Sequence, residues 1–186
     1  MYASETELAA ALRRQDRKAQ QWLYEQHRVP LYRMCLRYAQ DEQQAEDFLH
    51  DGMLKVFSDV HQFSGKGALG GWVRRVVLNV TLQHLRRRPR VVGEDQAPEL
   101  WAAPNPELDE ELNKLSGSQI HRLIKALPEG YRTVFNLYYL EDLGHKEIAA
   151  SLNISEGASK SQLYKARLAL RKSIKKNYPT YQYRTN

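Results

Sequence analysis

Apolar residues recur every three or four positions along most of this sequence, and no stretch keeps the apolar-polar alternation of a β-strand. This spacing predicts an all-α fold. The strongest pattern runs from residue 42 to about residue 60, behind Asp41, which is suited to cap a helix N-terminus. Its apolar side consists of Ala45, Phe48, Leu49, Met53, Val56 and Phe57. The opposite side of this predicted helix is acidic.

Capping residues and a proline predict three further helices before this one. Ser4 and Glu7 form a capping box, which opens a helix that runs to about residue 15. Asp16 is predicted to cap the second helix. Pro30 is predicted to begin a third, because proline is tolerated in the first turn of a helix and disfavoured in its interior. Cys35, the only cysteine, is expected in the core, with no intramolecular disulfide and no cysteine-based zinc site.

A glycine-rich stretch and an arginine-rich helix follow. Four glycines within residues 64–71 predict a flexible loop. A phosphate-binding loop is the alternative, but a preceding strand and the Walker pattern of Gly-Lys before Ser or Thr are missing. Helix is predicted to resume near residue 68 and to end at residue 88, in a segment (61–90) with seven basic and no acidic side chains. With Phe63 and Trp72, these cations favour single-stranded nucleic acid over a merely solvated basic face, because such groups bind unstacked bases.

The next segment differs in composition. Residues 91–115 carry seven acidic side chains and one basic side chain, and they contain several prolines without a helical period. This composition predicts a flexible, acidic, proline-containing linker. We therefore expect two small helical domains, with the following boundaries: first domain 1–88, linker 89–115, second domain 116–176 and C-terminal tail 177–186.

The second domain is predicted to end in a helix-turn-helix. Residues 145–152 have one-sided apolar spacing, residues 153–155 have turn chemistry, and Ser155 suits the N-cap of a final helix that reaches about residue 176. The outward side of that helix is predicted to hold Lys160, Ser161, Tyr164, Lys165, Leu168 and Lys172. Such hydroxyl, phenol and ammonium groups can reach base edges and phosphates from a major groove. A helical hairpin with a solvated basic face explains this pattern equally well.

The net charge and the lack of membrane signals narrow the function classes. The 186 residues include 28 basic and 22 acidic side chains, a net charge of +6 that favours polyanionic partners. The first residues do not have the composition of an apolar signal segment, so we expect no leader, and no run approaches the roughly 18 apolar residues of a membrane helix. We therefore expect a cytoplasmic protein without membrane insertion of its own.

An acidic cluster on the helix of residues 42–60 raises an enzymatic alternative. Glu46, Asp47, His50 and Asp51 have the spacing of metal ligands in helical di-iron sites. Those sites need a second helix that bears histidine and further carboxylates, and the sequence offers no such partner. We expect no metal, no cofactor and no catalytic residue.

Motifs in both halves together resemble bacterial RNA polymerase sigma factors of the extracytoplasmic-function (ECF) type. In the C-terminal half these are Leu127-Pro-Glu-Gly-Tyr-Arg-Thr-Val-Phe135, Tyr138-Tyr-Leu-Glu141, His145-Lys-Glu-Ile-Ala149, and Ser155-Glu-Gly157 with Lys160-Ser161. The N-terminal half resembles the family's core-binding helix at Ala45-Glu-Asp-Phe-Leu-His-Asp51 with Lys55-Val-Phe57. It resembles the family's promoter-melting helix at Trp72-Val-Arg-Arg75 with Asn79 and Leu85-Arg86. The resemblance runs from about residue 4 to residue 176 in the family's order.

This resemblance implies a transcription initiation factor without catalytic activity. The first domain would bind the polymerase clamp and capture the melted -10 promoter element, and the second would read the -35 element as duplex. The implied clamp-binding residues are Asp47, His50 and Asp51. The implied -10 residues are Phe63, Ser64, Lys66, Leu69, Trp72, Arg74, Arg75 and Asn79. The expected -35 residues are Ser155, Lys160, Ser161, Tyr164, Lys165, Arg167 and Arg171. The two arginines, together with Lys172, are expected to supply sequence-blind affinity. Core RNA polymerase, promoter DNA and an anti-sigma factor are the implied partners.

The sequence departs from the family pattern at several positions. His50 replaces a usual glutamine, and Gly70 and Gly71 are expected to loosen the melting loop. Ser159 stands where valine is common, so we expect either softer docking of the last helix or an internally bonded hydroxyl. Gln162 replaces a frequent arginine, which removes one expected phosphate contact.

A free-standing helix-turn-helix regulator is the rival interpretation. It explains residues 116–176 but leaves the glycine loop, the arginine-rich helix and the acidic helix without a role.

Overall fold

The computed structural model describes residue 2 and residues 4–86 and 105–179. The chain divides into two compact units, Met1–Arg88 (unit 1) and Pro89–Asn186 (unit 2). Unit 1 contains α1 (Glu5–Arg13), α2 (Arg17–Tyr38), α3 (Glu42–Asp59), a short 3-10 turn (Val60–Gln62) and α4 (Leu69–Arg86). Unit 2 contains α5 (Pro106–Asn113), α6 (Gly117–Lys125), α7 (Glu129–Tyr139), α8 (His145–Leu152) and α9 (Glu156–Asn177). No strand occurs in the described residues, and the all-α prediction is confirmed.

The core of unit 1 is built on the close approach of α3 and α4. A Cβ atom at Gly52 of α3 would lie only 2.8 Å from Cγ1 of Val77 on α4, so a larger residue would push the two helices apart. Cys35 of α2 is fully buried, and its Sγ lies 3.8 Å from Oγ1 of Thr81 on α4. Burial raises the pKa of the Cys35 thiol to about 11. The prediction that Cys35 is a core residue is confirmed.

The predicted helix start at Pro30 is wrong, because α2 continues through this residue. Leu23 before the proline and Leu31 and Met34 after it are all buried in the same core. A break at Pro30 would separate these side chains, and their shared packing outweighs the one backbone hydrogen bond that proline cannot donate.

The predicted glycine loop is shorter than expected. Gly65 and Gly67 have positive φ angles of 78° and 83°, which glycine adopts at little cost. Gly70 and Gly71 instead belong to the first turn of α4, where an N–H group needs no partner within the helix. The expectation that these two glycines loosen the loop is therefore wrong.

The predicted linker is helical over its last part, which corrects the expectation of irregular chain up to residue 115. Asn105 caps α5, its side chain accepting a hydrogen bond from the N–H of Leu108, and Pro106 takes the first helical position. Leu108 is fully buried where α5 packs on α9. One buried leucine in a helix of eight residues gives no visible period, so the sequence pattern missed it. The rest of the predicted linker, with the helix end expected at residue 88, lies outside the described residues, as do residues 180–186 of the predicted tail.

The helix-turn-helix prediction is confirmed by α8 and α9. Asn153 ends α8 in the left-handed conformation, with φ 53° and ψ 51°, which asparagine tolerates better than most residues. Ser155 then caps α9, since its side chain accepts a hydrogen bond from the N–H of Ala158. Ile148 of α8 and Leu163 of α9 are fully buried and belong to the core of unit 2.

Candidate nucleic-acid interface

The acidic side of α3 is accessible, and Asp51 on this side contacts α4. Asp47 and His50 are exposed, and Oδ2 of the partly exposed Asp51 lies 2.9 Å from Nε2 of His84 on α4. Leu54, one turn further along α3, is 54% exposed. We call Asp47, His50, Asp51 and Leu54 the α3 face. An apolar side chain flanked by acids suits a partner surface that combines basic and apolar groups.

An open groove lies between α2 and α3, and His50 lines one part of it. The groove has a volume of about 580 Å³ and is lined by Tyr24, Arg28, Val29, Tyr32, Arg33, Leu36, Glu46, Leu49 and His50. Sequence reasoning missed this groove because two helices contribute to it. The available signal was the recurrence of Tyr24, Arg28 and Tyr32 at four-residue intervals on one side of α2.

The loop of residues 64–68 is exposed throughout, between two packed ends. Ser64 and Lys66 lie in the exposed part, as predicted contacts would. Phe63 is only 5% exposed, with its ring centroid 5.8 Å from that of Trp72, and Leu69 is 2% exposed. These two implied -10 residues are therefore not accessible in this structure, because burying their apolar side chains in unit 1 is worth roughly 1.5–3 kcal/mol each.

The outer side of α4 carries an exposed polar stripe. Arg75 and Asn79 are exposed, whereas Arg74 and Trp72 are partly buried. Gln83 continues the stripe one turn beyond Asn79 and is also exposed. Sequence reasoning did not select Gln83, although its spacing from Asn79 places it on the same side of the helix.

Arg167 faces inward, so the expectation that it contacts the DNA backbone is contradicted by its position. It is 3% exposed, and its Nε donates a hydrogen bond to the hydroxyl of Tyr139 at 3.1 Å. Its guanidinium carbon lies 5.5 Å from the ring centroid of Tyr138 and 5.6 Å from that of Tyr139. The two aromatic rings of α7 attract the cation, which joins α9 to α7.

A second polar contact fixes the start of α9. Nδ1 of His145 lies 2.9 Å from Oγ of Ser159, and the His145 ring stacks on Tyr138 at a centroid distance of 5.3 Å. Ser159 is fully buried, so the expectation of an internally bonded hydroxyl is confirmed. Burial, followed by the nearby cations Lys160 and Arg167, lowers the pKa of His145. This histidine therefore holds α8 to α9 as a neutral ring at neutral pH.

Most of the α9 residues that are predicted to contact DNA lie on the outward side of this helix. Tyr164 and Lys165 are partly exposed, Leu168 is 49% exposed and Lys172 is exposed. Lys160 is also accessible, with its Nζ 3.0 Å from Oε1 of Glu156 one turn earlier. These side chains form a continuous cationic and aromatic strip along α9, which we call the α9 strip.

Ser161 lies within this strip but is only 3% exposed, so its predicted outward hydroxyl is wrong. Long side chains of a helix cover the turn on the N-terminal side of their own Cα atoms. Tyr164 and Lys165, three and four residues later, are placed to cover the short serine side chain. Ser155 is exposed, but its hydroxyl already accepts the N–H of Ala158.

Arg171 and Gln162 contact other helices of unit 2. Nη2 of Arg171 lies 2.7 Å from Oε2 of Glu107, and its Nε lies 3.5 Å from Oε2 of Glu111, both on α5. Gln162 lies against α7, since a Cβ atom at Gly130 would be 2.9 Å from its Oε1. Position 162 is thus partly engaged within unit 2.

No helix within residues 4–86 and 105–179 combines the length and the apolar character needed to cross a membrane. Over the same ranges, His, Cys, Asp and Glu side chains form no group of three or more that could hold a metal ion.

Comparison with known proteins assigns a family to this arrangement. The model of sigma-70 region 2 matches residues 23–91, and that of sigma-70, region 4 matches residues 117–170. The ECF RNA polymerase sigma factor SigE of Mycolicibacterium smegmatis is 29% identical over 159 residues, which are 83% of this chain and 61% of that relative. The ECF RNA polymerase sigma factor SigM of Bacillus subtilis is 26% identical over 153 residues, covering 80% of this chain and 91% of SigM.

The RNA polymerase sigma-H factor of Pseudomonas aeruginosa is 26% identical over 180 residues, covering 90% of this chain and 92% of the relative. The match spans less than two thirds of SigE, but nearly all of the other two proteins. Both matched regions lie in the family's order along one all-α chain, one in each compact unit. The chain belongs to the sigma-70 family of RNA polymerase sigma factors and is of the ECF type.

Proposed function

We propose that this chain binds core RNA polymerase and directs promoter-specific initiation, with unit 1 acting on the -10 element and unit 2 on the -35 element. The observation that carries the proposal is the presence of both sigma regions in one chain, each with an accessible surface suited to its task. In this role the protein has no catalytic activity of its own and acts in the cytoplasm.

Unit 1 would make two kinds of contact. The α3 face would dock on the clamp of the polymerase, where Asp47, His50 and Asp51 supply acidic and polar groups. The exposed loop and the stripe that begins at Arg75 would bind the melted -10 strand. Cations near an adaptable loop suit an unpaired base, which must leave its stack before a protein can hold it.

Unit 2 would place the α9 strip in the major groove of the -35 duplex. Lys160, Tyr164 and Lys165 lie in the first turns of α9, which in a helix-turn-helix enter the groove. Lys172, further along, is positioned for a phosphate contact that carries little sequence information. The burial of Arg167 and the ion pairs of Arg171 with α5 favour a supporting role for both side chains in holding α9.

Regulation by an anti-sigma factor is proposed from the family pattern.

The rival function is that of a free-standing helix-turn-helix regulator, and binding to core polymerase discriminates the two. Purified chain would be mixed with bacterial core RNA polymerase and passed through a size-exclusion column. A sigma factor co-elutes with core polymerase in the absence of DNA. Elution of the chain as a separate species, together with specific binding of duplex DNA on its own, would favour the regulator.

A further inference from the structure

Helix α1 contacts both ends of the loop that precedes α4. Nη2 of Arg13, at the end of α1, donates a hydrogen bond of 2.6 Å to the backbone carbonyl of Phe63. Oε2 of Glu5, at the start of α1, accepts a hydrogen bond of 3.0 Å from the backbone N–H of Leu69. These contacts join residues 50 and 64 positions apart in the sequence, so local helix formation does not account for them.

The two contacts hold the points at which the loop enters and leaves the packed part of unit 1. Phe63 and Leu69 are buried, while every residue from 64 to 68 is exposed. A charged donor on a carbonyl and a charged acceptor on an N–H are among the stronger hydrogen bonds in proteins. Glu5 also places a negative charge at the N-terminus of α4, which the helix dipole favours.

The loop itself has little else to define its conformation. Gly65 and Gly67 adopt positive φ angles, and a Cβ atom added at either would meet nothing within 4 Å. Within the loop, the N–H of Lys66 lies 3.4 Å from Oγ of Ser64, a long hydrogen bond. A loop with open space around its glycines depends on its fixed ends to keep one arrangement.

We propose that α1 is a clamp that positions the loop of residues 64–68 to receive an unpaired promoter base, with Arg13 and Glu5 as the positioning residues. This inference rests on the proposed action of unit 1 on the -10 element. Neither side chain reads the base. By fixing the ends of the loop before DNA arrives, the clamp lowers the ordering cost that binding would otherwise carry.

The proposed role of α1 can first be tested on the protein alone, without DNA. Trypsin cuts after Lys66, in the middle of the exposed loop, and cleavage requires the loop to adapt to the protease. Arg13→Ala and Glu5→Ala should each accelerate cleavage at Lys66 by about three- to tenfold, the range for losing one charge-assisted hydrogen bond at a partly exposed site. Glu5→Gln keeps an acceptor oxygen and should restore most of the protection.

Arg14→Ala is the matched control for Arg13→Ala, because Arg14 is the exposed neighbouring arginine at the end of α1. It should leave cleavage at Lys66 unchanged. Unaltered circular dichroism and thermal unfolding would show that each variant retains its fold. If trypsin cuts Arg13→Ala and Glu5→Ala at Lys66 no faster than it cuts Arg14→Ala, α1 does not hold the loop and the proposal is wrong.

The functional test uses each variant bound to core polymerase, with a promoter selected by the wild-type holoenzyme from random sequence. Two DNA probes are compared: a fork with a single-stranded -10 region, and a duplex that ends before it. Arg13→Ala and Glu5→Ala should weaken fork binding by about three- to tenfold. The affinities of both variants for the -35 duplex and for core polymerase should equal those of the control Arg14→Ala.

The possible failures are distinguishable. Faster cleavage with unchanged fork binding would overturn the positioning role and leave the two hydrogen bonds as structural contacts. Equal losses on fork and duplex would also overturn it, since they indicate a general defect. A wild-type holoenzyme that selects no promoter would contradict the proposed function and the role of the loop in DNA capture, while cleavage at Lys66 would still decide whether α1 holds the loop.

Discussion

The two candidate DNA-binding regions of this chain are built in opposite ways. In unit 1 the candidate contacts lie on a short exposed loop, residues 64–68, and on the outer stripe of α4 that follows it. In unit 2 they lie along one capped helix, α9, whose inner side is joined to α7 by Arg167 and to α8 by Ser159. The loop of unit 1 is held at its two ends, whereas α9 of unit 2 is held along its inner side.

The difference corresponds to the two forms of DNA that the regions are proposed to bind. A duplex presents its groove edges at fixed spacing, so a rigid helix loses little conformational entropy when it docks. An unpaired base has no fixed surroundings and must be enclosed after it leaves the stack. An adaptable loop suits that task, provided that its ends are held.

The largest expected effect concerns the α3 face, which separates polymerase binding from DNA binding. Asp47→Lys should weaken binding to core polymerase by about a hundredfold or more, because like charges brought together at an interface cost several kcal/mol. Binding of the -35 duplex by unit 2 should not change. Fluorescence anisotropy of labelled chain titrated with core polymerase measures the first, and labelled duplex titrated with chain measures the second.

The control is Glu25→Lys, which makes the same change of net charge on an exposed residue of α2. Reversing both Asp47 and Asp51 should enlarge the loss. If Asp47→Lys binds core polymerase as tightly as Glu25→Lys does, the α3 face is not the docking surface.

The second prediction concerns the inner side of α9. Arg167→Ala should destabilise unit 2 by roughly 2–3 kcal/mol, because it removes a buried hydrogen bond and a cation from two tyrosine rings. Hydrogen exchange of the α7 and α9 amides should accelerate accordingly. Lys172→Ala, an exposed change on the same helix, should alter exchange by less than about 0.5 kcal/mol. Equal exchange in the two variants would remove the distinction between a packed inner side and an exposed outer side.

The third prediction concerns the outer side of α9. Lys165→Ala should flatten the base preference at one or two positions of the -35 element by about 1 kcal/mol, since a lysine can donate to guanine O6 and N7. Lys172→Ala should instead weaken all sequences alike and lower the salt slope by about one unit. Binding of single-base promoter variants at several salt concentrations separates the two. A uniform loss for Lys165→Ala would make Lys165 a phosphate contact.

The smallest expected effect concerns the pairing of Arg171 with α5. Neutralising Glu107 and Glu111 together by glutamine should destabilise unit 2 by less than about 1 kcal/mol, since the pair is partly exposed to solvent. The effect should fade in high salt. Glu110→Gln, on an exposed residue of the same helix, is the control. A loss that is large, or that persists in high salt, would mean that α5 supports α9 chiefly through these charges.

Most helices could be predicted from the sequence, because their ends carry local signals. Asp41 and Ser155 indicate helix starts, because their side chains can accept hydrogen bonds from backbone N–H groups a few residues later. Both side chains do so in the structure. Asn153 similarly marks the turn between α8 and α9. Such signals involve only a few neighbouring residues, so they can be recognised without knowledge of the tertiary fold.

What could not be predicted depended on tertiary contacts. Pro30 lies inside α2 because packing on both sides of it keeps the helix whole, and α5 forms because Leu108 finds a buried place against α9. Local sequence contains neither fact.

The orientation of polar side chains was the least predictable part of the candidate site. Arg167 and Lys165 have similar chemistry and lie two residues apart. Arg167 turns inward because Tyr138 and Tyr139 lie there, whereas Lys165 remains partly exposed. Sequence reasoning selected both residues as DNA contacts, and the position of α7 separates their surroundings.

In the proposed function, one chain uses unit 1 for the unpaired -10 strand and unit 2 for the duplex -35 element while bound to polymerase. The most direct test is transcription by core polymerase, with and without the chain, from a library of random promoter sequences. We expect transcripts only when the chain is present, from promoters that share two separated sequence elements. Premelting the -10 region should relieve much of the barrier to opening while leaving the preference at the upstream element intact. Transcription that is equal with and without the chain, or that depends on a single duplex element, would contradict the proposed function.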